Sequence, residues 1–437
     1  MSGVRLMRRT VVVNSAWLMG DKIVRLGLGL VVWLWLARHF GPANFGLWNY
    51  ATAFAALFGA LAGLGLDGVV VRELVRDAHR ADELVGTTLV LRLVAGLFAA
   101  AACVVVLAWL RPGQPLALAL VALNAAVFVL QGSQAIDFYF QARMRTRPAV
   151  LAINAAFVLA TAGRIVLLLA DAPLLWFGVS LVAEAALAAV SLLLAYRLDG
   201  MSPLRWRFRT AVARRLLAES WPLLLSGLAV MAYMRLDQVM LSSMAGDVEV
   251  GQFSAALRIS EVWYFIPGAI VTAAFPAMMD KRARDHQEYE RFVQQLYDAM
   301  AWLGVVVAVL VSLGAPWLVK HLYGVRYQQA AAVLTVQIWA GVAVSMSFVH
   351  GKWLLAEGLQ RYGLVYTVAA ALINVCLNLL LIPRYGAVGS AWATLAAQTG
   401  PLLIQPVFPL ARRNFAMMLR VAWAPVRLLR WRRAGPR

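Results

Sequence analysis

The residues best suited to chemistry in this sequence are charged side chains inside long apolar stretches. Between residues 221 and 265 the chain reads as two consecutive hydrophobic helices that carry Arg235, Asp237, Arg258 and Glu261. A charged group at membrane depth costs about 2.5–3.5 kcal/mol on insertion scales. Each of these side chains is therefore a functional candidate by default.

The first apolar stretch carries a comparable pair, since Asp21 and Arg25 lie four residues apart and share one helix face, acid before base. Arginine stays charged when buried, and its planar guanidinium suits phosphate oxygens. The predicted substrate-binding residues are the arginines Arg25, Arg235, Arg258 and Arg164. The predicted ion-coupling residues are the acids Asp21, Asp237 and Glu261.

The same charges also have a structural interpretation. Asp21 with Arg25, and Arg258 with Glu261, are spaced to form ion pairs that lock helices together. Arg235 has no partner on its own helix face, which favours a role in binding.

The other charges inside the apolar stretches have a structural interpretation, either alone or beside a functional one. Asp237 lies two positions from Arg235 and points away from it, so it either pairs across helices or serves as a titratable coupling group. Arg164 lies near the outer end of its helix, where it either snorkels or lines an outer opening. Arg92 is close enough to a helix end to be expected to snorkel. Glu184 is expected to pack or to lie at the membrane interface.

Composition places these charges in an integral membrane protein. The 437 residues are 62% hydrophobic and 14% charged, against about 45–50% and 25% in soluble domains. A bilayer core needs roughly 20 helical residues, which predicts an all-α protein with twelve transmembrane helices. The predicted spans are about 12–38, 43–66, 84–110, 116–141, 148–170, 173–196, 216–244, 250–277, 294–318, 330–355, 362–383 and 388–410.

The distribution of basic residues predicts the orientation. With a cytoplasmic N-terminus, the inner segments hold 28 Lys and Arg residues and the outer loops hold 5. This asymmetry places both termini in the cytoplasm and explains the net charge of +19 without nucleic acid. The longest inner loop, 197–215, divides the spans into two parallel six-helix bundles related by pseudo-symmetry, with a midplane cleft between them. The predicted domains are 1–205, 206–411 and a basic cytoplasmic tail, 412–437.

Several classes of function lack their motifs. The only Gly-Lys pair, at Gly351 and Lys352, does not complete a nucleotide-binding loop, and the five histidines and two cysteines show no metal-ligand spacing. The outer loops are short, the longest running from about 319 to 329, whereas an enzyme would need room for a second substrate. We therefore expect neither a cofactor, a metal nor an enzymatic activity.

Two segments resemble bacterial polysaccharide flippases of the Wzx type, in the MOP superfamily with the MATE exporters and the lipid II flippases. They are 37-ARHFGPANFGLWNY-50, at the first outer loop, and 378-NLLLIPRYGAVGSAWAT-394, across helices eleven and twelve. The resemblance implies a MATE-like fold and a multi-pass protein of the bacterial inner membrane. It also implies transport of a polyprenyl-pyrophosphate-linked oligosaccharide from the cytoplasmic to the periplasmic leaflet by alternating access.

The expected partners follow from that resemblance: the lipid-linked glycan, membrane lipids, and the polymerase and export proteins of surface polysaccharide synthesis, such as that of the O-antigen of lipopolysaccharide. Two other functions stay open at this point. One is MATE-like, ion-coupled export of cationic small molecules, which the deep arginines disfavour. The other is a membrane enzyme or an assembly partner of the glycan polymerase.

Overall fold

The computed structural model describes the backbone of residues 2–407 and 412–423, and the side chains of residues 27–363, 365–407 and 412–421. Within these residues the chain forms helices joined by short turns, and it contains no β-strand. The predicted all-α fold is confirmed. The α-helices are α1 (Ser2–Gly63), α2 (Asp67–Arg76), α3 (Ala81–Leu110), α4 (Pro115–Leu130), α5 (Gln134–Ala142), α6 (Arg147–Leu169), α7 (Leu174–Leu198), α8 (Thr210–Ala245), α9 (Asp247–Arg284), α10 (His286–Tyr323), α11 (Gln328–Glu357), α12 (Arg361–Ile404) and α13 (Arg412–Leu419).

Helices α1 and α12 are too long to cross a membrane once. Helix α1 has 62 residues, which at 1.5 Å each would extend about 93 Å against a hydrocarbon core of about 30 Å. Its backbone leaves helical geometry at Gly41, where φ is 69°, and α12 does so at Gly386, where φ is 54°. A positive φ is readily adopted by glycine. Each of the two elements therefore consists of two helices that meet at a glycine.

By length and composition, ten helical stretches in the described part of the chain could cross a membrane. The stretches 27–76 and 361–407, which contain the two breaks, are the longest of them. Large apolar side chains are also highly exposed, such as Trp109 at 80% and Leu313 at 79%. Exposed apolar surface of this extent is lipid-facing surface, so the chain is a multi-pass membrane protein.

The helices form two compact units. Unit 1 comprises residues 1–40 and 47–235, and unit 2 comprises residues 41–46 and 236–437. The boundary lies within α8, directly after Arg235. The predicted domains are six-helix lobes defined by membrane crossings, and their boundaries stay a prediction.

The core of unit 1 is built around two buried tyrosines. Tyr139 and Tyr196 lie edge to face with ring centroids 5.0 Å apart. The Trp206 indole nitrogen donates a hydrogen bond of 3.1 Å to the Tyr196 hydroxyl, and the Tyr139 hydroxyl donates one of 3.0 Å to Asp199. These polar tips are satisfied, so the aromatic rings can be buried without an unpaired hydroxyl.

The core of unit 2 includes the first part of the predicted tail. Met417 and Met418 of α13 are buried among apolar residues of α10 and α11, and Asn414 of the same helix accepts a hydrogen bond of 2.9 Å from the Tyr297 hydroxyl. The described part of the tail is thus packed against unit 2.

A close backbone approach in unit 2 requires glycine. A Cβ atom at Gly251 of α9 would lie 2.1 Å from the carbonyl oxygen of Pro42, and one at Gly46 would lie 1.7 Å from that of Asp247. Only residues without a side chain allow this approach.

Candidate functional site

Among the candidate acids whose side chains are described, Asp237 is the more deeply buried, and it lies in unit 2 on the last part of α8. Its side chain is buried, with 6% of the residue exposed. Its Oδ1 accepts a hydrogen bond of 2.7 Å from Asn378 Nδ2, and its Oδ2 accepts one of 2.9 Å from Thr394 Oγ1. Asn378 Nδ2 also donates to Asn374 Oδ1 at 2.9 Å. We name these four residues the Asp237 cluster.

The break at Gly386 explains how α12 supplies three members of the Asp237 cluster. Asn374 and Asn378 are four residues apart and share one face of the first half of α12. Thr394 lies in the second half, beyond Gly386, where the reversed chain returns beside the first half. An unbroken helix would carry Thr394 about 24 Å along its axis away from Asn378.

The Asp237 cluster is a set of oxygen atoms around one carboxylate. Among the described residues Asn378 Oδ1 is buried and has no hydrogen-bond partner. Carboxylate, amide and hydroxyl oxygens are the ligands that hard cations prefer. The arrangement is suited to holding a proton on Asp237 or a small cation beside it, and a transition metal would require nitrogen or sulfur ligands that it does not offer.

Arg258 and Glu261 of α9 form the pair that their spacing predicts. Arg258 Nη1 lies 3.9 Å from Glu261 Oε2, and both side chains are about one-third exposed at 29% and 30%. This long, part-exposed contact compensates the two charges only in part. The functional roles of both residues stay predictions.

Arg235 lies at the end of unit 1 and is partly exposed. Within the part of the chain whose side chains the structure describes, no ion pair or hydrogen bond of its guanidinium is found. Asp21 and Arg25 lie outside the residues whose side chains are described, so their predicted roles stay untested. The structure brings Arg258 and Glu261 together and places Asp237 with uncharged partners.

Unit 1 contains a cavity of about 910 Å³, which we name the unit 1 cavity. Its lining includes the uncharged amides Asn124, Gln131 and Gln134 and three charged residues, Asp67, Arg92 and Glu184. A cavity of this volume is within the range of small-ligand sites. Amide groups supply both donors and acceptors, as sugar hydroxyls require.

Arg164 is paired with Glu184, which lines the unit 1 cavity. Its Nη2 lies 2.5 Å from Glu184 Oε2, and its Nε donates a hydrogen bond of 3.0 Å to Ser180 Oγ. Both charged side chains are largely buried, with 14% and 24% exposed. Glu184 thus compensates the charge of Arg164, and the role of Arg164 in substrate binding stays a prediction.

Arg92 is the residue that sequence reasoning missed. It was expected to snorkel, and this expectation is wrong, because Arg92 is only 4% exposed and lines the unit 1 cavity. Its Nη2 lies 3.4 Å from Asp67 Oδ1, and its guanidinium carbon lies 5.2 Å from the centre of the Phe138 ring. The available signal was its position about two turns inside the predicted span 84–110.

Two family models match the chain. The model described as polysaccharide biosynthesis protein matches residues 11–281, and the MatE model matches residues 222–380. The first match covers more than half of the chain.

Two curated relatives are similar over part of their length. A Haloferax volcanii chain named "Probable flippase AglR" is 30% identical over 205 residues, which are 43% of this chain and 40% of the relative. An Escherichia coli (strain K12) chain named for O-antigen transport is 24% identical over 186 residues, which are 42% of this chain and 45% of the relative. The chain therefore spans less than half the length of these relatives.

Two solved structures share the fold over nearly the whole chain. The lipid II flippase MurJ in an inward closed conformation has a TM-score of 0.67 at 13% identity and covers 94% of this chain and 91% of its own. An inward-facing MATE multidrug transporter of the MOP superfamily has a TM-score of 0.69 at 16% identity, with coverage of 91% and 95%. At these identities the likeness shows the fold, and it confirms that the fold is MATE-like.

Proposed function

Because the chain belongs to the polysaccharide biosynthesis protein family of the MOP superfamily, we propose that it is a flippase for a lipid-linked saccharide. The substrate we propose is a polyprenyl-pyrophosphate-linked oligosaccharide, moved from the cytoplasmic to the periplasmic leaflet for surface polysaccharide synthesis. The unit 1 cavity carries this proposal, because it combines amide groups with a buried arginine inside an apolar helix bundle. The names of the two curated relatives support it.

The proposal includes an architecture. Counting α1 and α12 as two crossings each brings the ten candidate stretches to twelve spans. An even number of spans, with the basic segments on one side, supports the proposal that both termini lie in the cytoplasm and that the protein resides in a bacterial inner membrane. The two six-helix lobes would expose the substrate site alternately to the two leaflets. The polyprenyl chain need never leave the lipid.

We assign the driving force to the Asp237 cluster. Its oxygen atoms are suited to a proton or a sodium ion, and its uncharged partners leave the carboxylate without a basic residue in contact among the described residues. Binding of a cation there would favour one conformation and couple transport to an ion gradient. The sequence contains no nucleotide-binding loop, which transport driven by ATP hydrolysis within this chain would require.

A second candidate function is MATE-like export of cationic small molecules by the same fold. The match of the MatE model to residues 222–380 favours it, and that segment contains Asp237. The buried arginines oppose it, since a cationic substrate would be repelled from them. In either case the chain would be a transporter, and for the flippase we propose polysaccharide polymerase and export proteins as its partners.

Deletion of the gene in its native host separates the two functions. A flippase predicts loss of surface polysaccharide and accumulation of the lipid-linked oligosaccharide inside the cell, with sensitivity to cationic dyes unchanged. Complementation with the intact gene should restore the polysaccharide. Changed dye sensitivity together with normal surface polysaccharide would favour the exporter instead.

A further inference from the structure

Arg92 is the most deeply buried basic side chain at the wall of the unit 1 cavity. It lies 11 residues after the start of α3, about 17 Å along the helix axis. Among the described residues, Nη2 is the one nitrogen of its guanidinium that faces an acid, Asp67, at 3.4 Å, and the Asp67 side chain is itself 70% exposed. A carboxylate that is mostly solvated compensates a buried charge poorly.

The remaining nitrogen atoms of Arg92 are available for a ligand. Nε and Nη1 are buried and have no hydrogen-bond acceptor among the described residues. A guanidinium offers five N–H donors, and buried donors normally have partners. Phe138 covers one face of the group at 5.2 Å, which fixes its plane without supplying an acceptor. The guanidinium is thus held in place by Phe138 and Asp67, while Nε and Nη1 have no acceptor among the described residues.

The opposite wall leaves space at this point. A Cβ atom at Gly63 would lie 3.6 Å from Arg92 Nη2, and the cavity wall there continues through Gly59 and Gly68. Without a side chain at these positions, the backbone leaves the space beside Nη2 unfilled. Elsewhere the lining carries neutral amides and one further acid, Glu184, whose carboxylate is paired with Arg164.

We propose that Arg92 is an anion-binding residue of the unit 1 cavity and that it binds the diphosphate group of the lipid-linked substrate. The inference rests on the proposed function and names the residue that would hold the charged part of the substrate. A diphosphate offers several oxygens that could accept hydrogen bonds from Nε and Nη1 of the guanidinium, which are unpartnered among the described residues. Asp67 holds the guanidinium in place when no ligand is bound and competes with the ligand when one arrives.

The effect of removing Asp67 distinguishes an anion-binding Arg92 from an arginine with a purely structural role. If Arg92 only anchors α2 by pairing with Asp67, then removing either charge should have the same effect. If Arg92 binds an anion, then removing the acid should leave binding intact or strengthen it, because the competing charge and its repulsion of phosphate are gone. Arg92→Gln and Asp67→Asn therefore have opposite expected effects on anion affinity.

The test uses the purified full-length chain in detergent and measures binding of farnesyl diphosphate, with farnesyl monophosphate, farnesol, inorganic pyrophosphate and glucuronate as comparison probes. We expect farnesyl diphosphate to bind most tightly. Arg92→Gln should weaken it by at least about tenfold, as expected for a lost charged hydrogen bond. The affinity of Arg92→Lys for farnesyl diphosphate should lie between those of the unmodified chain and Arg92→Gln. Asp67→Asn should bind farnesyl diphosphate as tightly as the unmodified chain or more tightly. Thermal unfolding of each variant gives the matched folding control.

Several outcomes would overturn the inference. Equal weakening by Arg92→Gln and Asp67→Asn would show a structural ion pair, and this comparison can be made with Arg92→Lys if Arg92→Gln does not fold. Inorganic pyrophosphate binding as tightly as farnesyl diphosphate would show a site for free anions, and preference for glucuronate would show a site for acidic sugars. An unmodified chain that does not flip the lipid-linked oligosaccharide would overturn the proposed function alone. Arg92-dependent binding of farnesyl diphosphate would still stand.

Discussion

Asn378 Nδ2 donates a hydrogen bond of 2.7 Å to Asp237 Oδ1 and so joins two residues that are 141 positions apart in the sequence. The same nitrogen donates to Asn374, so one amide ties the acid of α8 to a face of α12. Thr394 closes the other side of the carboxylate. Movement of α8 relative to α12 would break these contacts, which is why occupancy of the cluster can be linked to conformation.

Asp237→Asn tests this link. The amide keeps the size of the side chain and one oxygen acceptor but removes the negative charge, so the variant should fold and insert while losing cation-dependent transport. Flipping by reconstituted protein should no longer respond to a sodium or pH gradient. Asp280→Asn, at a residue whose side chain is 55% exposed, is the matched control and should keep the response. A gradient response that survives in Asp237→Asn would remove Asp237 from the coupling mechanism.

Arg235→Ala and Arg25→Ala test the predicted substrate contacts. Both variants should insert normally but stop the appearance of surface polysaccharide, because each removes a positive charge proposed to face the pyrophosphate. Lysine at either position should restore export in part, since it keeps the charge and loses the planar fork. Arg197→Ala changes an exposed arginine at the end of α7 and should export normally. Normal export by both test variants would contradict their assignment.

The pair of Arg164 and Glu184 gives a prediction about stability. Replacing either residue by a neutral one leaves a largely buried charge without its partner, so each single variant should unfold at a lower temperature. The double variant should be more stable than the sum of the two changes implies, with a coupling of about 1–3 kcal/mol. A coupling near zero in this double-mutant cycle would mean that the 2.5 Å contact contributes little to folding. Arg164 would then be free to act on substrate.

Two glycines in helices should respond oppositely to alanine. At Gly251 the added Cβ would lie 2.1 Å from the Pro42 carbonyl oxygen, so Gly251→Ala must displace the backbone and should lower the unfolding temperature. At Gly163 nothing lies within 4 Å of the added atom. Gly163→Ala should therefore raise stability by up to about 1 kcal/mol through helix propensity. Equal effects of the two substitutions on thermal unfolding would contradict the close approach at Gly251.

The fold was predictable because its signals are local and periodic. Long apolar runs identify the helices, and the glycines at 41 and 386 lie between predicted spans where the chain has to turn. The ion pair of Arg258 and Glu261 was predictable from spacing on one helix. What these features share is that the interacting residues are close in the sequence.

The site was less predictable because its contacts are long-range. Asp237 was recognised as a candidate by its position, but its partners Asn378 and Thr394 lie on a helix far along the chain. Arg92 was misjudged because distance from a helix end does not reveal whether a side chain turns toward lipid headgroups or toward the protein interior. The unit 1 cavity, which decides that question for Arg92, is formed by several helices and leaves no pattern in any one of them.

The most direct test of the account is flipping of a fluorescent polyprenyl-pyrophosphate-linked oligosaccharide in proteoliposomes that contain only this chain. Label on the outer leaflet is quenched by a membrane-impermeant reagent, so flipping is read as the fraction of label that becomes accessible with time. We predict that the unmodified chain increases this fraction several-fold over protein-free liposomes, and that Arg92→Gln reduces the increase. An unmodified chain that leaves the accessible fraction at the level of protein-free liposomes, under both sodium and pH gradients, would contradict the proposed function.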